Sequence, residues 1–121
     1  MGRVFITQHP RPNRLNWTPN LTPALGYGTI HFVYGPEDKP YANPQWAVEH
    51  AEVVLRDFDP DEDYVLYPNT GDPAAMWVII MVLSRMRINH IRFLYWERKL
   101  ENGERQKGEG FYTPIDIPLS L

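Results

Sequence analysis

DYVLYPNTGDPAAMWVIIMVLSRM, residues 63–86, carries a strand, a glycine turn and an apolar helix in succession. Asp63–Tyr67 (DYVLY) is short and rich in β-formers, which predicts a strand. Asn-Thr-Gly then turns the chain. Asp72 is a good N-cap, and Pro73 suits the first helical position, where its missing N–H leaves no bond unmade. Ala74–Leu83 is apolar at every position. A helix of that kind is expected to be buried on more than one side, so Trp77 is expected in the core. The run is about half the ~20 residues that a membrane span needs.

Upstream, Arg3–Gln8 (RVFITQ) predicts a first strand. The polar run His9–Asn20 has no period and holds three prolines, so it is a long loop. Loops beyond ~12 residues in compact domains are usually functional or disordered. Thr22-Pro23 caps a short turn ending at Gly26 or Gly28, and Thr29–Tyr34 (TIHFVY) is a second strand. Gly35–Asn43 is another loop. Asn43-Pro44 then opens an amphipathic helix with Ala47, Ala51, Val54, Leu55 and Phe58 on one stripe. DFDPDED stops it.

Downstream, His90–Lys99 predicts a fourth strand. Asn102-Gly103 suits the positive φ of a type I′ hairpin turn, and a last strand lies near Phe111–Leu119. Pro114 and Pro118 remove N–H donors from one side of that strand only, so it belongs at a sheet edge. Strands alternating with helices imply right-handed crossovers. The expected fold is a single α/β domain over 1–121. It is a small Rossmann-like sandwich, mostly parallel, with an antiparallel C-terminal hairpin and edge strand.

The 121 residues carry a formal net charge of −3, with 43% hydrophobic and no cysteine. A general nucleic-acid coat needs excess cations and is excluded. Absent cysteine removes disulfides, thiolate metal sites and cysteine nucleophiles. No signal-peptide apolar region follows the N-terminus, which points to a cytoplasmic protein.

In an open parallel sheet, ligands bind outside the carboxyl ends of the strands. Three loops should meet there: His9–Asn16, Gly35–Asn43 and Pro68–Asp72. The candidate ligand-binding residues are Gln8, His9, Arg11, Asn13, Arg14, Asn69, Thr70, Gly71 and Asp72. Two arginines, several amides and free helical N–H groups suit a phosphate or carboxylate. Against this, Asp72 brings a negative charge to the same helix end, and Asn-Thr-Gly is also an ordinary tight turn. PNTGDP has no lysine after the glycine, so it is not a phosphate-binding P-loop.

Asp57, Asp59, Asp61 and Asp63 start like a calcium loop, but Glu62 and Pro68 stand where glycine and glutamate are needed. The four histidines are scattered without metal-ligand spacing. Only two serines are present, and neither suggests a triad. No cofactor or metal is expected, and binding is favoured over catalysis. Tyr95 and Trp96 lie among the cations after position 84, an arrangement that can stack bases. The interleaved Glu97, Glu101, Glu104 and Glu109 favour a solvated charged arm instead.

DYVLYPNTGDPAAM and the closing GFYTPIDIPL resemble the small accessory proteins of bacteriophages. That resemblance implies a viral protein in the host cytoplasm that binds a host protein or sequesters a nucleotide signal. The functional expectation is a phosphorylated small molecule or nucleotide at the carboxyl edge of the sheet. The alternatives are an inhibitor that binds a host protein and a small nucleotide-directed hydrolase or transferase. A homo-oligomer, a dimer above all, is also expected. If the two long helices lie on opposite sheet faces, the all-apolar helix leaves a strip facing water. The first loop, through Leu15, Trp17 and Leu21, would otherwise have to seal it.

Overall fold

A computed structural model describes residues 2–12, 14–101 and 104–119, with side chains of all of these except 99–109. The strands are β1 (Arg3–Gln8), β2 (Thr29–Tyr34), β3 (Tyr64–Leu66), β4 (His90–Glu101) and β5 (Glu104–Pro118). The helices are α1 (Pro44–Val54) and α2 (Pro73–Arg85), with a 3-10 turn over Thr22–Gly26. One sheet runs β2-β1-β3-β4-β5. Neighbours are parallel as far as β4, and β4–β5 is antiparallel. This is the expected α/β fold, and β5 forms the edge that Pro114 and Pro118 required. The Asn102-Gly103 turn lies outside the described residues.

Both helices start as their caps predict. Asn43 accepts from the Trp46 N–H at 3.2 Å, and Asp72 from the Ala74 N–H at 2.9 Å. Their placement follows from strand order. The chain steps one way from β1 to β2, then back past β1 to β3 and on to β4. Right-handed crossovers therefore put the 3-10 turn on one sheet face and both helices on the other. The core divides accordingly. Phe5, Val33, Val65 and Ile91 pack with Ala47, Ala51, Leu55, Ala75, Ile79 and Leu83 on the helix face. Val4, Ile6, Leu66, Leu94 and Tyr112 pack with Ala24 on the other face.

This arrangement corrects two expectations. Trp77 is 76% exposed, not buried. The inward stripe of α2 is Ala75, Ile79, Val82 and Leu83. Trp77 lies two residues, roughly 200°, from Ile79 and so points away from the sheet. A helix beside another helix on one sheet face buries a stripe and one flank, and its outer side stays wet. Nor do the two helices lie on opposite sheet faces, the premise of the expected exposed strip, and Leu21 of the first loop, the alternative cover, is not over α2. Leu21 packs on the opposite face, with the 3-10 turn.

The acidic run around the end of α1 has a structural use. Asp63 is 2% exposed. Its carboxylate accepts from the Arg3 backbone N–H at 2.9 Å and the Arg3 guanidinium at 3.0 Å, and from the Asp59 N–H at 2.8 Å. The entry of β3 is thereby tied to that of β1.

Candidate functional site

β1 and β3 are neighbours whose outgoing chains leave toward opposite faces of the sheet. That divergence makes a crevice at their carboxyl ends, the usual ligand position in open α/β sheets. A cleft of about 350 Å3 lies there, lined by Gln8, His9, Arg11, Glu37, Asp38, Lys39, Tyr41, Gly71 and Asp72. Five of the candidate residues thus share one cleft, and Gly35–Asn43 completes it as expected. Glu37, Asp38, Lys39 and Tyr41 were not among the candidates, although their loop was placed at this edge.

The polar groups of this cleft are bonded mainly to one another. Gln8, the last residue of β1, is 3% exposed. Its amide NH2 donates to the Gly35 and Asp38 carbonyls at 2.9 and 2.7 Å. Its Oε1 accepts from the Asp72 N–H at 2.7 Å. One side chain, at the point where the first loop leaves β1, therefore ties the other two loops together. Gly71 has φ +89°, and a Cβ there would stand 2.6 Å from that Oε1. Only glycine allows both the backbone conformation and the close approach. Asp72 caps α2 with one oxygen and accepts from the Tyr41 N–H at 2.8 Å with the other. Asp38 Oδ2 accepts from the Gly35 N–H at 2.7 Å. Arg11 pairs with Glu37 at 3.2 Å. The His9 ring packs on Phe32 at 4.4 Å.

Three carboxylates thus face two cations, Arg11 and Lys39. Tyr34 lies near two of these acids. Burial, then the charges of Asp38 and Asp72, raise its phenol from 10.0 to about 12. The helix N-terminus that should attract an anion is already capped by Asp72.

Asn69 and Thr70 turn the other way. They line a second pocket of about 270 Å3 with Trp17, Tyr67, Trp96, Tyr112, Asn20 and Arg98. Arg14 is exposed and lines neither site, and Asn13 lies outside the described residues. The second pocket is assembled from distant segments. Trp17–Asn20 comes from the first loop, and Tyr67–Thr70 follows β3. Trp96, Arg98 and Tyr112 project from β4 and β5 on the face away from the helices, where Trp96 and Tyr112 are register partners. Their rings meet edge to face, with centroids 4.9 Å apart. The Tyr27 hydroxyl donates to the Tyr112 carbonyl at 2.7 Å and anchors β5 there. Gly110 makes room for Trp96, because a Cβ would sit 2.7 Å from the indole ring.

The polar groups here are less fully engaged. Thr70 Oγ1 is buried with no hydrogen-bond partner among the described residues. Arg98 is exposed and makes no ion pair among the described residues. Aromatic walls, amides and a guanidinium can hold a flat ring system bearing a negative group. The Trp96 signal was present in the sequence as an aromatic among cations. Its partners Trp17 and Tyr67 gave none, because only the fold brings them there.

No described helix is long and apolar enough to cross a membrane. Comparison with curated proteins and with solved structures finds no match. The family model described as Phage Pam3 gp32-like protein matches residues 2–105, most of the chain and all of the elements that build both clefts except β5 beyond Arg105. The chain therefore belongs to the Phage Pam3 gp32-like protein family, as a small phage-encoded α/β protein.

Proposed function

We propose that this phage protein binds a small nucleotide at the carboxyl edge of its sheet, with the base in the aromatic pocket and the phosphate toward Arg98. The observation that carries the reading is the convergence of Trp17, Tyr67, Trp96 and Tyr112 beside an arginine with no ion pair among the described residues. Base–aromatic stacking contributes about 1–3 kcal/mol per base. A guanidinium adds charge-assisted bonds to phosphate. At about 270 Å3 the pocket falls just under the ~300–1,000 Å3 range of drug-sized sites. That size suits one base and its sugar, not a dinucleotide. Holding such a ligand without converting it would let the phage withdraw a host signal.

Calorimetric titration with nucleosides and their monophosphates tests this. At least one monophosphate should bind, and more tightly than its nucleoside. Arg98→Ala should erase that difference and leave nucleoside binding in place. If no nucleotide binds at millimolar concentration, the pocket has another occupant, and a protein from the host becomes the better reading.

A further inference from the structure

The helix face of the sheet is only partly covered. α1 and α2 lie side by side over the parallel strands, with a shallow cleft between them lined by Glu52 of α1, Val82 and Arg85 of α2, and Arg56 and Met86 just past the two helix ends. Met76 and Ile80, on the other flank of the inward stripe, are partly buried against the helix-side core. Beyond them the hairpin is bare. Register pairs Phe93 with Ile115, Ile91 with Ile117 and Glu97 with Phe111, and Ile91 and Phe93 belong to the helix-side core. All of these side chains therefore share the helix face. Among them Tyr95 is 58% exposed, Phe111 52%, Ile115 40% and Ile117 41%, and on the outer side of α2 Trp77 is 76% and Met81 41% exposed.

We propose that the protein forms a twofold dimer through this surface, hairpin face and outer α2 of one copy against the same surface of the other. Area is the first argument. Taking about 150–250 Å2 for each aromatic side chain and somewhat less for the others, the exposed fractions leave roughly 600 Å2 of apolar side chain on one copy. A single monomer rarely shows a larger patch than ~300–600 Å2. Doubled by a twofold, it reaches the ~1,200 Å2 at which stable interfaces begin.

Chemistry supplies the second argument. Glu97 is the one charge among the β4 and β5 residues of this face from Ile91 to Glu97, and it accepts from the Thr113 hydroxyl at 2.6 Å. A surface with a single charge, itself held by a neighbouring hydroxyl, has little electrostatic preference for an acidic or basic partner and can complement itself. Topology is the third. Pro114 and Pro118 interrupt the N–H donors of the edge strand, so a second copy cannot continue the ladder along that stretch. It has to approach face on.

Sedimentation velocity at tens of micromolar should give about twice the 14.2 kDa of the chain. Trp77→Lys and Phe111→Lys should each weaken self-association by about 30-fold or more, the scale of a buried aromatic anchor. Leu25→Lys, at an exposed position on the other sheet face, should leave it intact. Because the chain has no cysteine, single cysteines give a second readout that does not depend on the lysine variants folding. With a bifunctional maleimide long enough to reach between two copies across the interface, Tyr95→Cys should cross-link and Leu25→Cys should not. A mass near one chain for the unaltered protein overturns the proposal. So does a dimer that both lysine variants leave intact, a dimer split by Leu25→Lys, or equal cross-linking at Tyr95→Cys and Leu25→Cys.

Discussion

Two clefts flank the turn at 68–72, and they are built in opposite ways. On the Gly71 side, Gln8, Asp38 and Asp72 bind the backbone of the loops at 35–43 and 68–72, and Arg11 has Glu37. On the Thr70 side, the walls are rings, and among the described residues a hydroxyl is buried without a partner and Arg98 has no ion pair. A polar residue at the carboxyl edge of a sheet is therefore not a ligand group by position alone. What matters is whether its hydrogen-bonding capacity is already taken by neighbouring loops. The first cleft behaves as a clasp, and the second retains capacity for a guest.

Removing the clasp should have the largest effect. Gln8→Leu leaves the Asp72 N–H and the Gly35 and Asp38 carbonyls without their partner. Each orphaned buried group costs about 1–3 kcal/mol, so stability should fall by roughly 3–5 kcal/mol in urea unfolding. A loss under ~1 kcal/mol would mean that the loops do not depend on Gln8, and the contrast between the clefts would collapse.

The next effect depends on pH. Tyr34 is 1% exposed, and its hydroxyl donates to the Ala47 carbonyl at 2.6 Å. Its folded pKa of about 12 stands above the ordinary 10.0, so folding favours the neutral phenol. The contribution is complete below pH 10 and is lost as pH rises toward 12. It amounts to about 2–3 kcal/mol at most. Over that interval Tyr34→Phe should lose less stability than the unaltered chain, although it starts about 1 kcal/mol lower at neutral pH. Parallel curves for the two proteins would show that neither burial nor the neighbouring acids hold the Tyr34 phenol in its neutral form.

The open cleft should respond in binding and not in folding. Trp17 is 55% exposed, so Trp17→Ala should change stability by under about 1 kcal/mol while weakening nucleotide binding about tenfold, the scale of one stacked base. Unchanged affinity would remove Trp17 from the site. The smallest effect belongs to Arg11→Ala. Its pair with Glu37 is exposed on both sides, so stability should move by no more than ~0.5 kcal/mol. Nucleotide affinity should hold within about twofold. A tenfold loss would return the phosphate to the first cleft and reverse the comparison.

Much of the architecture was legible in the residues. Asn43-Pro44 and Asp72-Pro73 marked both helix starts, and Pro114 with Pro118 marked the edge strand, because each acts on the backbone within a few residues of itself. The meeting of three loops at the carboxyl edge followed from chain order. Other features were hidden. Ten apolar residues in a row say that α2 meets apolar surroundings somewhere, but not which side faces outward, so Trp77 was misplaced. Asn69 and Thr70 are adjacent to Gly71 and Asp72 in sequence, yet the chain passes from one cleft to the other between Thr70 and Gly71, where Gly71 is left-handed at φ 89°. The aromatic pocket has no local signature. Its walls stand dozens of residues apart, and only strand register brings Trp96 and Tyr112 opposite each other.

Strand order also has a kinetic consequence. In the parallel part of the sheet, Arg3 waits for Thr29 and Val4 for Tyr64, so long loops must close before those ladders gain anything. β4 and β5 meet from Glu101 and Glu104 outward, with almost no loop to close. Hairpins of this kind zip in about 1–10 μs, whereas nonlocal parallel pairings are intrinsically slow. The hairpin should therefore form early and wait for the rest of the sheet. Its union with β3, through Val65 and Phe93, should be a late event. The aromatic pocket, with one wall on each side of that seam, would then be among the last parts of the molecule to exist.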